Sequence, residues 1–138
     1  MKALCAALLF FFSSHALADD YDASITGEIK SCWRLQDRFG QELCLAEIGE
    51  ELEAERKRLR DRRIELIYNT TVRTQIVAAS DAWTKLRQSE CTVVRDQFGS
   101  ASLQSAKVSE CEIYYTLRRI EDLQQYIDCT ENGCPWFF

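Results

Sequence analysis

The chain has 138 residues, with 17 lysines and arginines against 22 aspartates and glutamates, for a formal net charge of -5. That balance argues against nucleic acid or an anionic lipid surface as the main partner and suits a cationic protein. The only histidine, His15, and the only methionine, Met1, lie in the first 18 residues, a stretch read below as removed on export. The mature chain then has no histidine for an acid–base pair, for activating a serine or cysteine nucleophile, or for binding a metal.

The first 18 residues carry the three parts of a secretory signal: Lys2 as a positive start, the apolar run Ala3 to Phe12, and Ala16-Leu17-Ala18 as a small-residue cleavage motif before Asp19. Residues 1–18 are therefore expected to be cleaved, leaving 19–138 as one domain with 16 basic and 22 acidic side chains, a charge of -6. The apolar run falls short of the ~20 residues of a membrane span, and nothing later approaches it, so no membrane insertion is expected. Cys5 follows no lipobox-like stretch and leaves with the signal. Six cysteines remain, Cys32, Cys44, Cys91, Cys111, Cys129 and Cys134. In an oxidising compartment an even set argues for up to three disulfides. Cys-x-x-Cys spacing is absent, which disfavours zinc, and no cofactor motif is present.

Downstream of the signal the pattern is helical almost throughout. Asp22 or Ser24 can cap a short first helix carrying Ile25, Ile29, Cys32, Trp33 and Leu35, and Gly40 is placed to end it. Leu45, Leu52, Leu59 and Leu66 recur every seven residues on a long second helix, about Gln41 to Tyr68, flanked by Ile48 and Ile67. Between Glu53 and Arg63 the apolar stripe thins to Ala54 and Leu59, so this middle section is expected to offer one narrow face or to protrude. Acids (Glu50, Glu51, Glu53, Glu55) precede bases (Arg56, Lys57, Arg58, Arg60, Arg62, Arg63), which matches the helix dipole and makes Glu53 and Lys57 an i,i+4 pair. That reads as a solvated helix; the alternative is a homodimer through the Leu45/Leu52/Leu59/Leu66 seam.

Asn69-Thr70-Thr71, formally a glycosylation sequon, reads as a turn with caps for a third helix, about Val72 to Gln97. Its expected buried stripe is Val72, Ile76, Ala79, Trp83, Leu86 and Val93 or Val94. Phe98 to Gln104 is the longest loop candidate. A fourth helix, about Ser105 to Asp128, is expected to bury Val108, Cys111, Tyr115, Leu117 or Ile120, Leu123 and Ile127. Cys129 to Phe138 forms a short tail ending in Pro135-Trp136-Phe137-Phe138, aromatics that can fill a groove on the domain or anchor a partner. The fold class is all-α: a hairpin or bundle of about four helices stapled by disulfides.

Six cysteines allow 15 connectivities. Antiparallel helices bring Cys91, late on the third, level with Cys111, early on the fourth. Cys32 and Cys44 flank the Gly40 turn similarly, and Cys129 can close a small loop with Cys134. The pairing is expected to be sequential.

Trp83-x3-Arg87-x3-Cys91, the Gly99-Ser100 loop, and Cys111-x4-Thr116-x2-Arg119-x3-Leu123 together resemble the signature of the LprI-type lysozyme inhibitor domain, a small secreted bacterial helical family. The resemblance covers about Ala79 to Gln125. Cys32 and Cys44 are similar to the family's first cysteine pair, while its usual Asp-x-x-Leu-Asn is replaced by Glu50-x-Leu52-Glu53. The extra Cys129/Cys134 pair and aromatic tail are further departures, marking a divergent member. The resemblance implies a non-enzymatic periplasmic or secreted protein-binding module, with a lysozyme as its possible partner. The physics of the motif itself is structural: Arg87 and Arg119 are expected to hold the hairpin together rather than contact a ligand.

Inhibition would follow if the loop between Cys91 and Cys111 entered the lysozyme cleft, with Ser100, Ser102 and Lys107 as donors to its catalytic carboxyl groups and Trp136 as a further contact. The competing reading is an envelope interaction protein with a different target, such as an immunity protein for a secreted toxin or an assembly factor. Carboxylates are numerous, but abundance on helix surfaces marks no glycosidase-like pair.

Overall fold

A computed structural model describes residues 15–98 and 104–133, with side-chain surroundings from residue 24 onward. Four helices make up the fold: α1 His15–Trp33, α2 Arg38–Glu65, α3 Thr70–Phe98 and α4 Gln104–Asn132. Among the described residues there is no strand, in line with the absence of two-residue alternation.

The turns explain where each helix begins. Gly40 does not end α1, which stops at Trp33 and extends upstream of both expected caps. Instead Asp37 adopts an extended backbone and its carboxylate accepts from Gly40 N at 2.6 Å, starting α2 three residues earlier than expected. A Cβ at position 40 would meet the Asp37 carboxylate at 2.8 Å, so the glycine lets the cap close. Gln41 Nε2 donates to the carbonyls of Leu35 (2.8 Å) and Trp33 (3.4 Å), satisfying groups left open at the end of α1. Asn69 caps α3 as the turn motif predicts, its side chain accepting from Thr71 N and Val72 N.

α2 lies along α4 over more of its length than along any other helix, and α1 packs on α2 beside the Cys32–Cys44 bridge. The core joins Ile25, Ile29 and Cys32 of α1 with the α2 leucines and Ala106, Ile113, Leu117, Ile120, Leu123 and Ile127 of α4. Both alternatives on α4, Leu117 and Ile120, are buried, whereas Val108, Cys111 and Tyr115 are only half-buried. Leu45, Leu52 and Leu59 are at most 2% exposed and Leu66 packs against the same core. The leucine seam is thus occupied inside one chain, which removes it as a dimer interface.

α3 departs most from expectation. It rests mainly on α4, with Ile76, Ser80 and Cys91 buried and Trp83, Arg87 and Val94 half-buried. Val72, Ala79, Leu86 and Val93 are exposed instead. A seven-residue step falls about 20° short of two helical turns, so that set walks progressively off the contact line. The residues that follow the line by threes and fours, Ile76, Ser80, Trp83, Arg87, Cys91 and Val94, mix polar side chains with apolar ones.

The two expected disulfides that fall within the described residues are present, Cys32–Cys44 and Cys91–Cys111, with Cα atoms 5.6 and 5.7 Å apart. Cys129 is also disulfide-bonded; its expected partner Cys134 lies outside the described residues. Closing a loop of the Cys91–Cys111 size stabilises a fold by about 3 kcal/mol on the chain-entropy account.

Candidate protein-binding site

Residues of the spaced motif converge on the Trp83 ring. The guanidinium carbons of Arg56, Arg87 and Arg119 lie 5.1, 5.1 and 5.9 Å from its centroid, within the range of cation–π attraction. Arg87 Nη1 reaches from α3 to both other helices, donating to Glu53 Oε2 on α2 at 3.0 Å and to Thr116 Oγ1 on α4 at 2.8 Å. Thr116 in turn donates to the Glu112 carbonyl within α4. Arg119 pairs more distantly with Asp122, at 3.7 Å. Leu123, 1% exposed, belongs to the adjoining core.

Two members of this cluster escape the sequence reading. Arg56 is only 3% exposed; it grips Glu53 through Nε and Nη2 at 2.8 and 2.7 Å and donates from Nη1 to Ser80 Oγ on α3. The thin section of α2 therefore does not protrude; it packs through one narrow face, on which a buried guanidinium takes the place of an aliphatic side chain. The clue was positional: Arg56 stands four residues after Leu52 and three before Leu59, on the buried line. Glu53 is not simply a surface partner of Lys57, which approaches only to 3.9 Å. Burial alone would raise its carboxyl pKa, but the hydrogen bonds and charges of Arg56 and then Arg87 outweigh this and hold it below the ordinary 4.5. Permanently charged guanidiniums around an ionised carboxylate give a clamp, not an acid–base pair. Arg87 Nε and Arg119 Nε are buried without a hydrogen-bond partner.

A different surface forms where α1 ends, α2 and α4 begin and α3 ends. Both described disulfides lie within about two turns of this end. Ser105 Oγ donates to Glu42, linking the starts of α4 and α2. Trp33 Nε1 donates to Glu110 Oε1 at 3.0 Å. Lys107, expected as a loop donor, sits in the first turn of α4, its ammonium 2.7 Å from Glu110 Oε2 and 4.4 Å from the Trp33 ring centroid. Ser100, Ser102 and Trp136 lie outside the described residues. Leu35, Phe39 and Leu43 are exposed at this end, Phe39 to 75%. Beside the Cys32–Cys44 bridge a groove of about 280 Å³ is lined by Glu28, Ser31, Glu47, Ile48 and Glu51.

At the opposite end Arg62 bonds Glu131 at 2.7 Å and Arg63 lies 4.0 Å over the Tyr126 ring. Burial, with the neighbouring Arg119 charge, lowers the Arg63 pKa despite Tyr126. Among the described residues no group of histidine, cysteine or carboxylate side chains is arranged to hold a metal ion, and no helix is long and apolar enough to cross a membrane.

One family model, described as Lysozyme inhibitor LprI, matches residues 19–123. No curated protein and no solved structure matches the chain.

Proposed function

The chain belongs to the LprI lysozyme-inhibitor family, and from that premise we propose that it is an exported, non-enzymatic protein that binds a lysozyme and blocks its cleft. The observation that carries this reading is the family match itself, which takes in both described disulfides and the whole Trp83 clamp. Export accords with the signal-like residues 1–18 and with disulfides, which persist in oxidising compartments.

The proposed mechanism has a scaffold and a steering term. The clamp ties α3 to α2 and α4, and the Cys91–Cys111 bridge ties α3 to α4 within about two turns of the connection between them, so that connection, with Ser100 and Ser102, would enter the cleft from a braced base. The net negative charge speeds encounter with a cationic lysozyme, by a factor that falls with ionic strength. The test is inhibition of cell-wall hydrolysis by a panel of cationic lysozymes of different structural types, using the oxidised protein. Dose-dependent inhibition of at least one is expected; no inhibition of any at micromolar protein would overturn the proposal.

A further inference from the structure

We infer that the outward ridge of α2, Phe39-Leu43-Glu47-Glu51, together with Leu35 before it and Glu28 across the groove, is the surface on which the cationic lysozyme docks. This rests on the inhibitor reading and adds a docking face beside the α3–α4 connection that enters the cleft in that reading. The four ridge residues are four apart, so their side chains stand one above the next, and all four are exposed. The ridge is apolar at its upper half and acidic at its lower half.

The apolar half is large for a helix start. Single exposed hydrophobic residues are ordinary, but Leu35, Phe39 and Leu43, 42%, 75% and 50% exposed, recur every four residues from the α1–α2 connection into the start of α2. They stand on a fixed frame: the Cys32–Cys44 bridge, the Asp37 cap and the Gln41 hydrogen bond to the Leu35 carbonyl. The backbone beneath Phe39 is thus already ordered before binding, and exposed aromatic side chains are enriched in interface contacts.

The acidic half selects the occupant. Glu28, Glu47 and Glu51 line one groove, and none of them enters an ion pair among the described residues. Helix-dipole stabilisation fades within the first turn, which Glu47 and Glu51 lie beyond, so it does not account for them. Uncompensated carboxylates beside an apolar patch repel a second copy of this acidic chain and an anionic membrane alike. They complement arginine and lysine side chains around a lysozyme cleft.

The test compares the full oxidised protein with two double variants, Phe39→Ser/Leu43→Ser and Glu47→Gln/Glu51→Gln, against whichever lysozyme of the panel the native protein binds most tightly. The exposed positions leave helix content and thermal unfolding near native. The serine pair is expected to weaken binding at least ~30-fold, mainly through faster dissociation. The glutamine pair is expected to slow association several-fold at low salt, with the difference gone at about 0.5 M salt. If the native protein inhibits and both variants bind as it does, the docking face is wrong and the inhibitor reading stands. If the native protein binds no lysozyme, both fall together.

Discussion

The two halves of α2 carry the same number of acids and use them in opposite ways. Residues 38–51 hold Glu42, Glu47, Glu50 and Glu51 with Arg38 as the only base, and none of these acids is ion-paired among the described residues. Residues 52–65 hold Glu53, Glu55, Asp61 and Glu65 among six bases, and every one of the four is paired. The second half spends its charge inside the fold, and the first half leaves it outside. A helix can therefore be structural and interactive along its length, with the division set by whether each carboxylate has a partner in its own chain.

The sharpest way to break that contrast is at Arg56. Arg56→Ala removes the bidentate partner of Glu53, leaving it to Arg87, and empties the space against Trp83; we expect a loss of about 3–5 kcal/mol in urea unfolding from the broken pair and the lost packing together. Arg56→Met likewise leaves Glu53 to Arg87 but keeps most of the volume against Trp83, so a clearly smaller loss is expected. Equal losses for the two variants would mean that the clamp is charge and not packing. Next in size is the stapled end, where Cys91→Ala/Cys111→Ala is expected to cost about 3 kcal/mol. That effect would also appear as weaker lysozyme inhibition below the unfolding midpoint, because α3 and α4 lose their bridge.

How far the sequence discloses this division follows from what each signal measures. The leucine line of α2 and the Asn69 turn were legible because burial and capping leave strict spacing and residue type behind. The disulfide pairs inside the described residues were legible from hairpin geometry alone. The face of α3 was legible only in part: Ile76 and Trp83 lie on it as expected, but Ser80 and Arg87 also make its contacts, and a hydrophobicity pattern follows the exposed valines and leucine instead. Gly40 misled because a glycine near a helix end suits either a stop or a tight cap, and only the Asp37 carboxylate decides between them. Among the motif residues, the structural role expected for Arg87 agrees with its bonds to Glu53 and Thr116, whereas the α2 partners Glu53 and Arg56 were hidden in a run that also fits a solvated helix.

Acid should loosen the paired half before the core fails. The Glu53 carboxyl in the folded protein titrates below 4.5, so the unfolded chain binds more protons in this range and stability rises with pH. The contribution is complete above the unfolded value and is lost as pH falls through the lowered folded value. Glu55, lowered by its hydrogen bond from Arg58 against a smaller effect of burial, adds to the same slope. Urea midpoints measured from pH 6 down to pH 3 should fall, and Glu53→Gln should flatten the fall while lowering the plateau. An unchanged slope in that variant would place the acid sensitivity elsewhere.

The smallest stability change should come from the unpaired half, and its sign is the informative part. Glu47, Glu51 and Glu55 succeed one another at i,i+4, where like charges destabilise a helix by about 0.2–0.5 kcal/mol per pair. Glu55 has Arg58 to offset it; Glu47 and Glu51 have no such partner among the described residues. Glu51→Gln should therefore leave stability unchanged or raise it by a few tenths of a kcal/mol, while the same substitution weakens lysozyme association at low salt. A residue retained for the fold would show the opposite coupling, losing stability with binding intact. Thermal unfolding and association rates measured on one preparation separate the two. A destabilised Glu51→Gln would show that the first half of α2, like the second, uses its acids to hold the bundle together.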